Sequence, residues 1–174
     1  MKKTGTARKY TGNSDGLAKS VTTGLTELVH QIVTNSHSAL WCNGTFVNRN
    51  SKGKDSLSVH ATGRAADISW RKIDDKGRKN GRFYAEKMMN FLVDNAELLE
   101  IEMIIDYNVS PHGRGWRCDR SSWEIYSKPT VQGTPSGDWF HIELSPKMSS
   151  KPQMISTVFE EKFVFEKVYA GKPL

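Results

Sequence analysis

The sequence, 174 residues long, has no apolar run approaching the roughly 20 residues that a membrane helix needs. Its opening stretch, MKKTGTARKYTGNSDG, is basic, but no apolar segment follows it, so it does not read as a secretory signal. Cysteine is scarce. Cys42 and Cys118 lie far apart and form no C-x-x-C pair, so a two-cysteine zinc clip or redox motif has no support in the sequence. Reduced thiols are the expectation, and without secretion the sequons at Asn43 and Asn108 carry little weight. No internal repeat and no low-complexity tract is visible. Acidic residues are outnumbered, 19 against 25 Lys and Arg, for a formal charge of +6. Such a surplus favours polyanions (nucleic acid, anionic lipid, acidic wall polymers) or simply keeps a surface solvated.

What is present suits one globular domain. Hydrophobic residues make up 37% and charged residues 25%, and the length allows a real core. Residues 1–16 are polar, Gly-rich and basic, and read as a flexible or loosely docked arm. Residues 24–35 carry Leu25, Leu28, Val29, Ile32 and Val33 at helical spacing. His30 stands alone on that helix as a surface or capping residue, and His37 fits its exit. Residues 39–47 look like a strand broken at Asn43-Gly44, and residues 65–70 like a short buried strand. The charged stretch 71–82 reads as a solvated loop. Residues 82–98 form a second amphipathic helix, 101–107 a strand, 108–122 and 127–137 loops with a short strand WEIY between them, and 152–163 a C-terminal helix. The expected architecture is α+β, a small antiparallel sheet with packed helices. The expected division is an arm at 1–16, a domain at 17–146 and a helical extension at 147–174 on the same domain.

Two stretches carry chemistry. Residues 58–67, SVHATGRAAD, hold His60 and Asp67 seven positions apart with small residues between them. Residues 138–144, DWFHIEL, alternate as a strand: Trp139, His141 and Glu143 share one face, and Phe140, Ile142 and Leu144 the other. Catalytic zinc takes three His or carboxylate ligands and keeps one open position, and His60, Asp67 and His141 are such a set. Asp138, three residues before His141, is a candidate general base. Alone, each piece is an ordinary turn or strand residue; together they are specific.

SVHATGRAAD resembles the pattern S-x-H-x-x-G-x-A-x-D at Ser58, His60, Gly63, Ala65 and Asp67. That pattern belongs to the zinc D-Ala-D-Ala carboxypeptidases and L-alanyl-D-glutamate endopeptidases of the Hedgehog/DD-peptidase fold. Asp138-Trp139-Phe140-His141 is similar to their second motif, an acidic residue, two spacers and His. The resemblance spans residues 40–146. It implies one zinc ion on His60, Asp67 and His141, and Asp138 as general base and acid, where many members have Glu. It implies Ser58 beside the metal and an upstream arginine on the substrate, for which Arg49 is the candidate. Arg64 falls at a variable position and reads as rim. Glu143 shares the face of His141 and is a candidate hydrogen-bond partner for it, with Trp139 beside the substrate. His112 reads as a loop residue.

The implied function is a monomeric zinc peptidase that cuts peptide stems of bacterial peptidoglycan. The basic chain without a signal looks like a phage endolysin, held in the host cytoplasm until a holin opens the membrane. A second reading is a virion or cell-wall binding module with this fold and no catalysis, whose usual sign is a lost ligand or base; neither is lost here. A third, nucleic-acid binding through basic loops 71–82 and 112–120, lacks any helix with base-reading spacing. Loops 71–82, 108–122 and 127–137 are expected to decide where the cleft ends, and so which bond is cut.

Overall fold

A computed structural model describes residues 5–70, 81–129 and 131–163. The described residues form an antiparallel sheet of six strands and three α-helices. In chain order these are α1 (Thr23–Asn35), β1 (Leu40–Gly44), a 3-10 turn (Val59–Thr62), β2 (Ala65–Trp70), α2 (Gly81–Asp94), β3 (Ile101–Asp106), β4 (Arg114–Arg117), β5 (Ser122–Ile125), β6 (Trp139–Leu144) and α3 (Pro152–Lys162). The sheet order is β1-β2-β6-β3-β4-β5. No helix among the described residues is long and apolar enough to cross a membrane.

The helices form where apolar stripes and caps coincide. Thr22 caps α1, its Oγ1 accepting from the Leu25 amide at 3.4 Å, and Leu25, Leu28 and Ile32 make the buried stripe. Gly24 allows the last segment to approach: a Cβ there would lie 2.4 Å from the Met148 carbonyl oxygen. Its amide donates to the Ser149 carbonyl at 2.7 Å, so residues 147–149 deliver α3 onto α1. Pro152 opens α3, and Ile155 and Phe159 are its buried residues. Helix α2 ends sooner than the 82–98 pattern predicts. Residues 95–100 turn, Glu100 adopts a φ of +47°, and Leu98 faces solvent at 50% exposure.

One face of the sheet is core. Ala66, Ile68, Phe140, Ile142, Leu144 and Ile104 cluster with Leu28, Ile32, Met88, Met89 and Leu92 from α1 and α2. Each such fully buried large side chain is worth about 1.5–3 kcal/mol relative to exposure. The other face, one residue out of phase, carries Asp67 on β2 and His141 and Glu143 on β6. Register sets them: Asp67 pairs with His141 and Ala65 with Glu143 across β2–β6, and Ile105 and Met103 flank His141 and Glu143 from β3.

Three expectations need correction. Residues 108–122 are not all loop, because β4 pairs with β3 and β5 there, with Trp116 buried to 1% exposure. Residues 5–16 are not a flexible arm. The Arg8 amide donates to the Cys118 carbonyl at 2.9 Å, its guanidinium to the carbonyls of Ala96 (3.1 Å) and Ile101 (2.6 Å), and the Thr11 amide to Glu102 at 3.3 Å. Arg64 is not rim: it is 1% exposed, forms a two-pronged ion pair with Asp15 at 2.7 Å on each arm, and donates to the carbonyls of Gly12 and Leu144. A polar segment of this kind looks free in sequence; its partners are backbone carbonyls, buried carboxylates and one buried arginine. Residues 71–80 and 164–174, including most of the charged loop and most of the run FVFEKVY at 163–169, whose pattern reads as either strand or helix, lie outside the described residues.

Candidate metal centre

The first motif folds as a capped single turn. Ser58 is its N-cap, and its Oγ accepts from the His60 amide at 3.3 Å. Gly63 closes it in the left-handed region at φ +72°, where an added Cβ would sit 2.3 Å from the Ser20 carbonyl oxygen. Glycine is therefore required twice over, by conformation and by space. The turn delivers His60, and β2 starts two residues later, at Ala65, to deliver Asp67.

His60, Asp67 and His141 can each offer one ligand atom, and these atoms lie within 4.8 Å of one another. His60 Nε2 is 3.4 Å from Asp67 Oδ2, and His141 Nδ1 is 3.0 Å from Asp67 Oδ1. The two imidazole rings meet edge to face with centroids 4.9 Å apart. Both histidines are buried, at 6% and 7% exposure.

The remaining ring nitrogens fix the tautomers. His60 Nδ1 is 2.6 Å from the Thr45 carbonyl oxygen, which can only accept, so Nδ1 carries the proton and Nε2 the lone pair. His141 Nε2 is 3.0 Å from Glu143 Oε1, a carboxylate acceptor, so its Nδ1 keeps the lone pair. Two imidazole lone pairs and a carboxylate thus converge. Acceptors 3.0 Å apart need a proton or a cation between them, and this donor set fits a divalent metal of the zinc type.

Without a metal, a proton takes that place. Burial alone would lower the His141 pKa, but hydrogen bonds to Asp67 and Glu143, and their charge, raise it to about 10. Burial would raise Asp67, but the hydrogen bond from His141, with the two imidazoles packed against it, holds its carboxyl well below the usual carboxylate range.

The trio lies in a cleft of about 510 Å³ whose walls include Arg49, Lys52, Lys54, Ser58, Tyr107 and, from the N-terminal segment, Tyr10. An adjoining cleft of about 540 Å³ shares Arg49, Lys52, Lys54, Ser58 and Tyr107 and adds Pro129, Val131, Gln132 and Trp139. Trp139 stacks on Tyr107 with ring centroids 4.8 Å apart. Lys52 donates to Gln132 across the second cleft.

The structure therefore gathers His60, Asp67, His141, Ser58, Glu143 and Arg49 on one cleft, with Trp139 in its extension. It does not gather Asp138. That residue is exposed just before β6, its carbonyl accepting from the Trp70 amide at 3.0 Å, and it lines neither cleft. The strand period explains this: continued one residue back, it assigns Asp138 to the Phe140 side and not to the His141 side. His112 is half-buried in the loop before β4. Sequence reasoning missed Tyr10, Tyr107 and the Thr45 carbonyl. The carbonyl leaves no sequence signal; Tyr10, the one aromatic in a polar segment, was a signal of docking. Comparison of the chain with protein-family models, curated proteins and solved structures finds no match.

Proposed function

We propose that the protein is a zinc-dependent peptidase of the Hedgehog/DD-peptidase type, acting on the peptide stems of bacterial peptidoglycan. The observation that carries this reading is the convergence of His60 Nε2, His141 Nδ1 and Asp67 in a cleft, each imidazole held through its other nitrogen. Bound there, zinc would supply Lewis acidity to a substrate carbonyl and an acidified water. In this reading Arg49 holds the substrate carbonyl or a carboxylate, and Lys52 and Lys54 extend a cationic wall suited to an acidic stem. Asp138 accepts the proton of the attacking water and returns it to the leaving amine, which requires the stretch before β6 to turn its carboxylate into the cleft. The reading implies a monomer, endolysin-like, that waits in the host cytoplasm before reaching the wall.

A second reading, a virion or cell-wall binding module without catalysis, is favoured by one observation: Asp138 lines neither cleft. Mass spectrometry of muropeptides from several wall chemotypes, digested with zinc and with a chelator, separates the two. Chelator-sensitive cleavage is expected, and the fragment masses name the bond as carboxypeptidase or L-alanyl-D-glutamate endopeptidase type. No cleavage of any chemotype by folded, zinc-loaded protein would leave the binding module. Asp138→Asn is expected to keep fold and zinc with hydrolysis nearly abolished; turnover at the wild-type rate would remove Asp138 from the mechanism.

A further inference from the structure

The N-terminal segment reaches the back of the metal centre. Tyr10 Oη donates to Glu143 Oε2 at 2.8 Å, and Glu143 Oε1 accepts from His141 Nε2 at 3.0 Å. Glu143 is 3% exposed, so water does not readily replace either bond. Its register neighbours, Ala65 on β2 and Met103 on β3, carry no donor. Arg64, the buried cation that reaches the carbonyl of the adjacent Leu144, is held by Asp15, Gly12 and Leu144. Among the described residues the Tyr10 hydroxyl is therefore the donor that fixes the second oxygen of Glu143. Burial first, and then the Glu143 carboxylate, keep the phenol protonated by raising its pKa far above the usual range.

We propose that Tyr10 is a positioning residue of the metal centre: its hydroxyl fixes the Glu143 carboxylate, which fixes His141 with Nδ1 turned towards the metal. The N-terminal segment is then a working part of the site. A carboxylate held at one oxygen can still tilt about that one hydrogen bond; held at both, any tilt strains a second buried hydrogen bond as well. The aim of the His141 lone pair is thereby set by residues 5–16.

The phenol ring is held independently of its hydroxyl. The Arg117 guanidinium lies 5.0 Å over the ring. On either side the chain is fastened by Arg8 to the Ala96 and Ile101 carbonyls, by the Thr11 amide to Glu102 and by Asp15 to Arg64. Tyr10→Phe thus removes one hydrogen bond and leaves the packing.

The inference rests on a metal being bound by the trio, but not on hydrolysis, and its test reads metal and not turnover. The full-length protein and its Tyr10→Phe variant are titrated with zinc against a competing chelator, and with Co2+ by visible absorption. Loss of an outer hydrogen bond to a ligating histidine weakens metal binding by about 10–100-fold. A zinc affinity about tenfold lower or more is expected for Tyr10→Phe, with an altered Co2+ spectrum and a metal-free protein that still melts in one cooperative transition. Glu143→Gln is expected to show a similar loss, and the double variant little more than either, because both act through one chain of bonds. Unchanged zinc affinity in Tyr10→Phe overturns the proposal. So do losses that add in the double variant. A protein that binds zinc as expected yet cleaves no muropeptide would fail the peptidase reading alone, so the two failures are told apart.

Discussion

Replacing Arg64 by Met tests whether the N-terminal segment is held by a buried charge. Arg64 is 1% exposed and meets Asp15 through two contacts of 2.7 Å. It also satisfies the carbonyls of Gly12 and Leu144, and its Nη1 lies 3.7 Å from Glu102 Oε2, a buried oxygen with no hydrogen-bond partner. Met fills much of the same volume but leaves two carbonyls and two carboxylates without their cation. Removing one partner of a buried ion pair costs roughly 3–5 kcal/mol. Asp15 keeps 31% of its side chain in solvent and so loses less, which puts the cost near the lower end, about 3 kcal/mol. In a chain of this size 1 kcal/mol moves the melting temperature by about 2–4 °C, so a fall of about 6–12 °C is expected. Limited proteolysis should then cut within residues 5–16 before any other site. A rim arginine would change stability by no more than about 0.5 kcal/mol. A shift under about 2 °C with an uncut N-terminal segment would refute the buried clamp.

The other predictions concern the site and the thiols. Gly63→Ala adds left-handed strain of about 1–2 kcal/mol and a clash with the Ser20 carbonyl, so urea unfolding should show a loss above 2 kcal/mol; a loss under 0.5 kcal/mol would mean the turn relaxes freely. Asp67→Asn should abolish stoichiometric zinc in a dialysed sample read by elemental analysis, and retained zinc at one per chain would remove Asp67 from the ligand set. The metal-free protein should lose stability in alkali. His141 has its pKa raised from 6.5 to about 10, so its contribution is complete below pH 6.5 and is lost as pH rises through 10. Asp67 is shifted the other way, and its contribution is lost only in acid, below the usual carboxylate range. Melting curves with chelator should fall between pH 7 and 10, zinc should raise them most at the alkaline end, and a His141→Asn protein should lack that slope. Burial raises the Cys118 thiol to about 11 and also raises Cys42, so a thiol reagent should react slowly with the native protein and titrate two thiols after denaturation.

Much of the fold was legible because its signals are local. The stripe Leu25, Leu28, Ile32 and the cap at Thr22 define α1, and the alternation of Trp139 to Leu144 gives both faces of β6. The trio was legible for a different reason: its residue types are those that metal coordination would call for, and β2 and β6 pair in register with Asp67 opposite His141. What escaped depends on distant partners. Arg64 looks like any surface arginine until Asp15 and the Leu144 carbonyl are beside it. Strand β4 is short and contains Gly115 and two arginines, so propensity alone reads it as loop; pairing with β3 decides it. The alternation that located His141 also argued against Asp138 on the same face, a consequence the spacing of the motif conceals.

The position of β6 has a consequence for how the chain assembles. It is the last strand in sequence among the described residues, yet it lies between β2 and β3 and supplies the pairings that join the sheet's two halves. Until residues 139–144 are available, β1–β2 and β3–β4–β5 are separate antiparallel pieces, each with an open edge facing the gap. The bond from Tyr10 to Glu143 spans 133 residues and that from Asp67 to His141 spans 74. Closing loops of that length is slow compared with forming α1 or the β3–β4 hairpin. The His60, Asp67 and His141 cluster is therefore expected to form as the sheet closes, late in folding, and the segment around Tyr10 is fastened only once β6 is in place.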